Sequence, residues 1–133
     1  MPVKLTKDSI DLGIIITDSE KALAFYRDTL GFKHEGDMPM GGGTTMHRLM
    51  CGSSLIKLLS PGTPPAAKAP PGGIQGAYGY RYWTISVSNL DELSKACADG
   101  GYNVVVPPRE IREGIRIAIV EDPDGNWVEF LEQ

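Results

Sequence analysis

The chain states one pattern twice. An alternating apolar stretch, a helix cap, an apolar helical stripe, a glycine stop and three strand-like runs occur in the first half and recur in order in the second. In the first copy Ile10, Leu12, Ile14 and Ile16 alternate with Asp11, Gly13, Ile15 and Thr17, the period of a strand with one face on a core. Asp18 is the predicted helix N-cap, Ala22, Leu23, Phe25, Tyr26 and Leu30 form an apolar face, and Gly31 ends the helix. Strands are predicted from Phe32 to Gly36, Met46 to Cys51 and Leu55 to Leu59, the last two as a hairpin turning at Gly52-Ser53. In the second copy Trp83, Ile85 and Val87 alternate with Tyr82, Thr84 and Ser86. Asn89 is the predicted N-cap, with Glu92 completing a capping box. Leu90, Leu93, Ala96 and Cys97 then form the helical stripe, and Gly100-Gly101 stops it. Strands from Tyr102 to Val106, Ile115 to Glu121 and Trp127 to Leu131 follow, the last two joined by the turn Asp122-Pro123-Asp124-Gly125.

Cap to stop is 13 residues in the first copy and 12 in the second. A single β-α-β-β-β unit leaves a sheet face bare, so two units sharing one core is the natural solution. The expectation is therefore one α+β domain within the 133 residues. Module one spans about residues 8–60, a Pro/Gly-rich linker about 61–78, and module two about 79–132. Composition narrows the function classes. With 13 basic and 17 acidic residues, net −4, the charge argues against a general nucleic-acid or membrane-surface binder. No apolar run approaches the roughly 20 residues of a membrane helix, and Met1 to Asp11 lacks a signal-peptide segment. Cys51 and Cys97 lie in no C-x-x-C or Cys/His cluster, which excludes a disulfide scaffold and a thiolate zinc site and fits a reducing cytoplasm. Gly41-Gly42-Gly43 follows no strand-to-helix turn, so it is not read as a phosphate loop.

The motif Asp18-x-x-x-Ala22-x-x-Phe25-Tyr26-x-x-x-Leu30-Gly31-Phe32, together with the ending Asp122-Pro123-Asp124-Gly125-Asn126-x-x-Glu129, resembles the vicinal oxygen chelate superfamily. That group includes glyoxalase I, bleomycin- and fosfomycin-resistance proteins and extradiol dioxygenases. The resemblance implies two tandem β-α-β-β-β modules whose sheets curl around one shared cleft. In catalytic members of the family a histidine seven residues before each helix cap and a glutamate on each closing strand hold a divalent metal. The matching positions here are Asp11, Tyr82, Lys57 and Glu129, separated by 46 residues (Asp11 to Lys57) and 47 (Tyr82 to Glu129). Only Glu129 keeps the ligand type. A protonated lysine has no lone pair and repels a cation, so no metal and no other cofactor is expected, although Asp11 with Glu129 would suit a weakly held hard cation such as magnesium.

With Gly52-Ser53 as the turn, Arg48 faces Lys57, Met50 faces Leu55 and His47 faces Leu58. His47, Leu49, Ile56 and Leu58 then share the helix-packed face, and Arg48 and Lys57 the other. His47, near the edge of its face, is read as a structural or surface histidine rather than a ligand or base, and His34 as solvent-facing. The cleft implied by the resemblance would collect Asp11, Lys57, Tyr82 and Glu129 as candidate catalytic groups. Arg48, Thr84, Trp127, Met46, Met50 and Tyr80 would be candidate substrate contacts. Two readings stand side by side: an ion-pair network in which Lys57 replaces the metal against Asp11 and Glu129, or a set handling a small carbonyl or carboxylate compound. In the second, Arg48 or Lys57 holds an anionic oxygen, Glu129 moves a proton and Tyr82 donates to an oxyanion, as a lyase or isomerase requires. The alternative is a non-catalytic drug-binding protein of the bleomycin-resistance kind. A homodimer is expected in either case, with the cleft built within one chain or between exchanged modules.

Overall fold

In the computed structural model, which describes residues 2–133, two units separate, one up to Ala66 and one from Ala67 to Gln133. Each is a β-α-β-β-β module built on a four-stranded sheet. The first contains β1 (Asp11–Ile15), α1 (Ser19–Leu23), β2 (Lys33–Pro39), β3 (Thr45–Cys51) and β4 (Ser54–Ser60), in the order β1-β4-β3-β2. The second contains β5 (Tyr82–Ser86), α2 (Leu90–Asp99), β6 (Val104–Arg112), β7 (Ile115–Glu121) and β8 (Trp127–Glu132), in the order β5-β8-β7-β6. The first strand of each sheet runs parallel to the last, and the other neighbours are antiparallel.

The Asp18 carboxylate caps α1, accepting from the Lys21 N–H at 3.0 Å. From Ala24 to Thr29 the helix widens into a π-helical turn, with the Leu30 N–H donating five residues back to the Phe25 carbonyl at 2.9 Å. The extra residue between cap and stop in the first repeat is absorbed here, because a π turn holds one residue more than an α turn. The wider turn buries two consecutive aromatics. Phe25 and Tyr26 are both 0% exposed, edge to face at 4.7 Å, and Tyr26 stacks on Phe32 at 6.1 Å. The second repeat has the small residues Ala96 and Cys97 at the same offset from its cap, and α2 stays α-helical.

Four expectations shift. Ile10 lies outside β1 and is exposed. Asn89 occupies the N-cap of α2 but makes no capping bond; Glu132 on β8 accepts from the Leu90 N–H instead, at 3.1 Å. The strand expected from Tyr102 to Val106 runs from Val104 to Arg112, through Pro107 and Pro108. As an edge strand β6 tolerates residues that cannot donate, and its pairing with β7 is interrupted by register shifts around them. The linker is not a loose tether throughout. Arg81 donates to the carbonyls of Gly73 (2.6 Å) and Pro70 (2.7 Å), and Gly73 lies against the Trp127 ring, so this stretch belongs to the second unit.

Candidate functional site

The hairpin register agrees with the parity argument. Arg48 pairs with Lys57, Met50 with Leu55, His47 with Leu58 and Met46 with Leu59. His47, Leu49, Ile56 and Leu58 are buried on the helix side. On the other face of β3 and β4 the Arg48–Lys57 rung lies between two apolar rungs, Met46–Leu59 and Met50–Leu55. Strand β1 adds Asp11, Gly13 and Ile15 to this face, because Asp11 pairs with Leu55 and Gly13 with Lys57. The Lys57 Nζ reaches past Gly13 to within 3.6 Å of the Asp11 Oδ2, both side chains being one-third exposed. Asp11 is held more closely by Lys7, whose Nζ donates to Oδ1 at 2.5 Å. That bond, with smaller help from Lys57, keeps the Asp11 carboxyl below its usual range against the opposing cost of burial. Arg48 forms no hydrogen bond or ion pair among the described residues.

In the second unit Thr84 pairs with Glu129 and Tyr82 with Trp127. The Thr84 hydroxyl donates to Glu129 Oε1 at 2.6 Å, and Oε2 has no protein partner among the described residues. Thr84 stands where the first unit has Gly13, and Glu129 where it has Lys57. The Trp127 indole donates to Glu121 at 3.2 Å, and its ring is covered by Gly73. Tyr82 is half-exposed, and Tyr80 and Tyr78 are fully exposed. The turn before β8 is set by Asp122, whose carboxylate accepts from the Asp124 and Asn126 N–H groups at 2.9 Å each and from Asn126 Nδ2 at 3.0 Å. This fixes the phase of β8 and therefore the face on which Glu129 stands.

A family model for the Glyoxalase/Bleomycin resistance protein/Dioxygenase superfamily matches residues 9–130. The chain belongs to that superfamily. Solved structures agree on the fold. A glyoxalase family protein from Bacillus cereus is 19% identical, with a TM-score of 0.82 over 98% of this chain and 95% of that one. The trypanothione-dependent glyoxalase I of Leishmania major is 24% identical, with a TM-score of 0.72 over 92% and 84%. A superfamily member from Sphaerobacter thermophilus DSM 20745 is 25% identical, with a TM-score of 0.69 over 96% and 98%. Among curated proteins, the human monocarboxylate transporter 11 is 35% identical over 83 residues, 62% of this chain, and the chain spans only 17% of that protein's length. No helix among the described residues is long and apolar enough to cross a membrane.

The positions that carry metal ligands in catalytic superfamily members do not fit a metal here. In the first unit both are occupied by the Asp11–Lys57 ion pair, whose ammonium has three donors and no lone pair. In the second unit a phenol stands at Tyr82, which leaves Glu129, with one oxygen on Thr84, as a single carboxylate ligand.

A different cluster escaped the sequence reading. His34 Nε2 and His47 Nδ1 each lie 2.7 Å from the same oxygen, Asp37 Oδ1. The far nitrogen of His47, Nε2, is 2.8 Å from the Ser19 hydroxyl. His34 is thus not free in solvent; its side chain is 22% exposed and turned toward Asp37. His47, 7% exposed, is held at both nitrogens. The bonds from His47 and then His34 keep the Asp37 carboxyl below its usual range. Asp37 sits directly across from His47 in the β2–β3 pairing, a register set by a bulge between His34 and Gly36.

Proposed function

We propose that this superfamily member acts, as a homodimer, on a small carbonyl or carboxylate compound and moves a proton at the carbon beside the carbonyl, as a lyase or isomerase without the family's metal. The observation that carries the reading is the Arg48–Lys57 rung. Like charges directly opposite on a sheet are destabilising, and among the described residues this pair is offset only by the 3.6 Å contact of Lys57 with Asp11. Two incompletely matched cations bounded by apolar rungs form a surface that favours a carboxylate or an enolate oxygen, the charge a metal would otherwise stabilise. In the second unit, Glu129 has one oxygen held by Thr84 and one open, the arrangement of a positioned acid–base group. Tyr82 is the candidate donor to a developing oxyanion. Met46, Met50 and Tyr80 are assigned to substrate contact, whereas Trp127, covered by Gly73 and bonded to Glu121, is assigned to packing of the second unit.

The second reading is sequestration of a drug-like molecule without turnover, favoured by Tyr80 and Tyr82, exposed aromatics that would stack on a planar ligand. One variant separates the two. A panel of 2-oxo and 2-hydroxy carboxylates is screened by thermal shift, and the binders are followed by NMR for deuterium uptake from D2O. Under the enzyme reading Glu129→Gln keeps binding and lowers exchange by about 10²- to 10⁴-fold. Binding without exchange in the unmodified protein supports sequestration instead.

A further inference from the structure

We propose that His34, Asp37 and His47 form a binding site for one divalent transition-metal ion of the zinc, cobalt or nickel kind, separate from the positions that bind metal elsewhere in the superfamily.

The site begins with the bulge. Residues three apart on a regular strand point to opposite faces, so His34 and Asp37 would ordinarily be separated by the sheet. Across β2 and β3, His34 pairs with Leu49 but Gly36 pairs with Arg48, so one extra residue is inserted between them. That insertion puts His34, Asp37 and His47 on one face, the face that carries α1. Their ligand atoms, one from each residue, all lie within 4.8 Å of one another.

Two imidazole nitrogens meeting one carboxylate oxygen bring three lone pairs into one small volume once the protons between them are replaced. With metal–ligand bonds of about 2.0–2.1 Å in tetrahedral geometry, ligand atoms sit roughly 3.3 Å apart. The two nitrogen–oxygen separations of 2.7 Å must open by about 0.6 Å, with the two imidazole nitrogens, within 4.8 Å of each other, settling to the same spacing, an adjustment that a half-exposed Asp37 side chain allows. Two nitrogens and one oxygen are a borderline donor set, suited to zinc-like ions and poor for magnesium or calcium.

Ser19 is the positioning residue. A hydroxyl both donates and accepts, so it can accept a hydrogen bond from His47 Nε2–H, fixing the tautomer that leaves Nδ1 as the ligand nitrogen. Being the first residue of α1, it holds the imidazole from a helix rather than a loop. Among the described residues no lysine or arginine lies within ion-pair distance of Asp37, in contrast to Lys57 beside Asp11; Arg27 acts on Asp37 only as a more distant charge. Three protein ligands leave a fourth position for water on the open side of Asp37.

The test uses the full chain, stripped with a chelator and titrated with Co²⁺ (visible absorption) and Zn²⁺ (calorimetry). The expected result is one ion per chain with the intense absorption of four-coordinate cobalt. His34→Ala and Asp37→Asn, at partly exposed positions, should each weaken binding by more than about 100-fold, and Ser19→Ala by about 10-fold. In the unmodified protein, Zn²⁺ should shift the ring-nitrogen NMR signals of both His34 and His47, a readout independent of how any variant folds. No uptake, unmoved imidazole signals, or uptake that survives His34→Ala and is lost in Asp11→Asn overturns the proposal.

Discussion

Gly73→Ala tests whether the linker is part of the second unit and whether Trp127 is seated by it. A Cβ on Gly73 would come within 2.2 Å of Trp127 Cζ2 and 2.3 Å of Cε2 and Cη2, at a backbone φ of +54°. Two costs follow. The left-handed backbone costs a non-glycine residue about 1–2 kcal/mol, and forcing a methyl against a packed ring costs about 1–3 kcal/mol, for a total of about 2–5 kcal/mol. For a chain of this size each kcal/mol lowers the midpoint by roughly 3–5 °C, so thermal unfolding followed by circular dichroism should move down by at least about 6 °C. A double-mutant cycle separates the two costs. In a Trp127→Ala background the ring is gone, and Gly73→Ala should cost only the backbone portion, about 1–2 kcal/mol. The difference, a coupling of about 1–3 kcal/mol, is the contact itself. A coupling near zero, or a Gly73→Ala variant with an unchanged midpoint, would refute the packing of the linker on Trp127 and return that indole to the pool of groups free to meet a ligand.

Two further outcomes follow from the titrating groups. The Asp11 carboxyl is held below its ordinary 3.8, so its contribution to stability is complete above that pH and is lost as pH falls through the lowered value. NMR titration should find that Lys7→Ala moves Asp11 back toward 3.8 by more than Lys57→Met does, because the Lys7 hydrogen bond is the larger cause; the reverse order would refute this assignment of partners. Burial pushes the Cys97 thiol up to about 11 and raises Cys51 as well. At pH 8 only about a thousandth of Cys97 is thiolate, so native alkylation mapped by mass spectrometry should modify the half-buried Cys51 at least about tenfold faster. Equal rates would contradict the burial of Cys97.

The fold was legible because two independent periodicities repeat. Alternation located β1 and β5, and the cap-to-stop spacing located the helices. The one-residue mismatch between those spacings was visible in the sequence, but its consequence was not. A π turn at Ala24–Thr29 follows from burying Phe25 and Tyr26 together, which is a tertiary demand. For the same reason the cap of α2 falls at Asn89 as expected but its bond does not: Glu132, 42 residues from Leu90, accepts from the first turn where Asn89 and Glu92 were expected to. No local signal encodes a partner that distant.

Parity decided the rest. A tight turn at Gly52-Ser53 transmits register without error, so each pairing of β3 with β4, from Met46–Leu59 to Cys51–Ser54, could be counted from the sequence, and with it the Arg48–Lys57 rung. Between β2 and β3 the connection is longer and a bulge intervenes, so the same counting sends Asp37 to the face opposite His34. The cluster around Asp37 is therefore hidden from alternation by the feature that creates it. Regular strands tell which residues share a face and are silent where the ladder slips. An extra residue inserted at an edge strand disrupts the ladder, and here it gathers two imidazoles on one carboxylate, so the insertion is better read as a device for aiming side chains than as a flaw in β2.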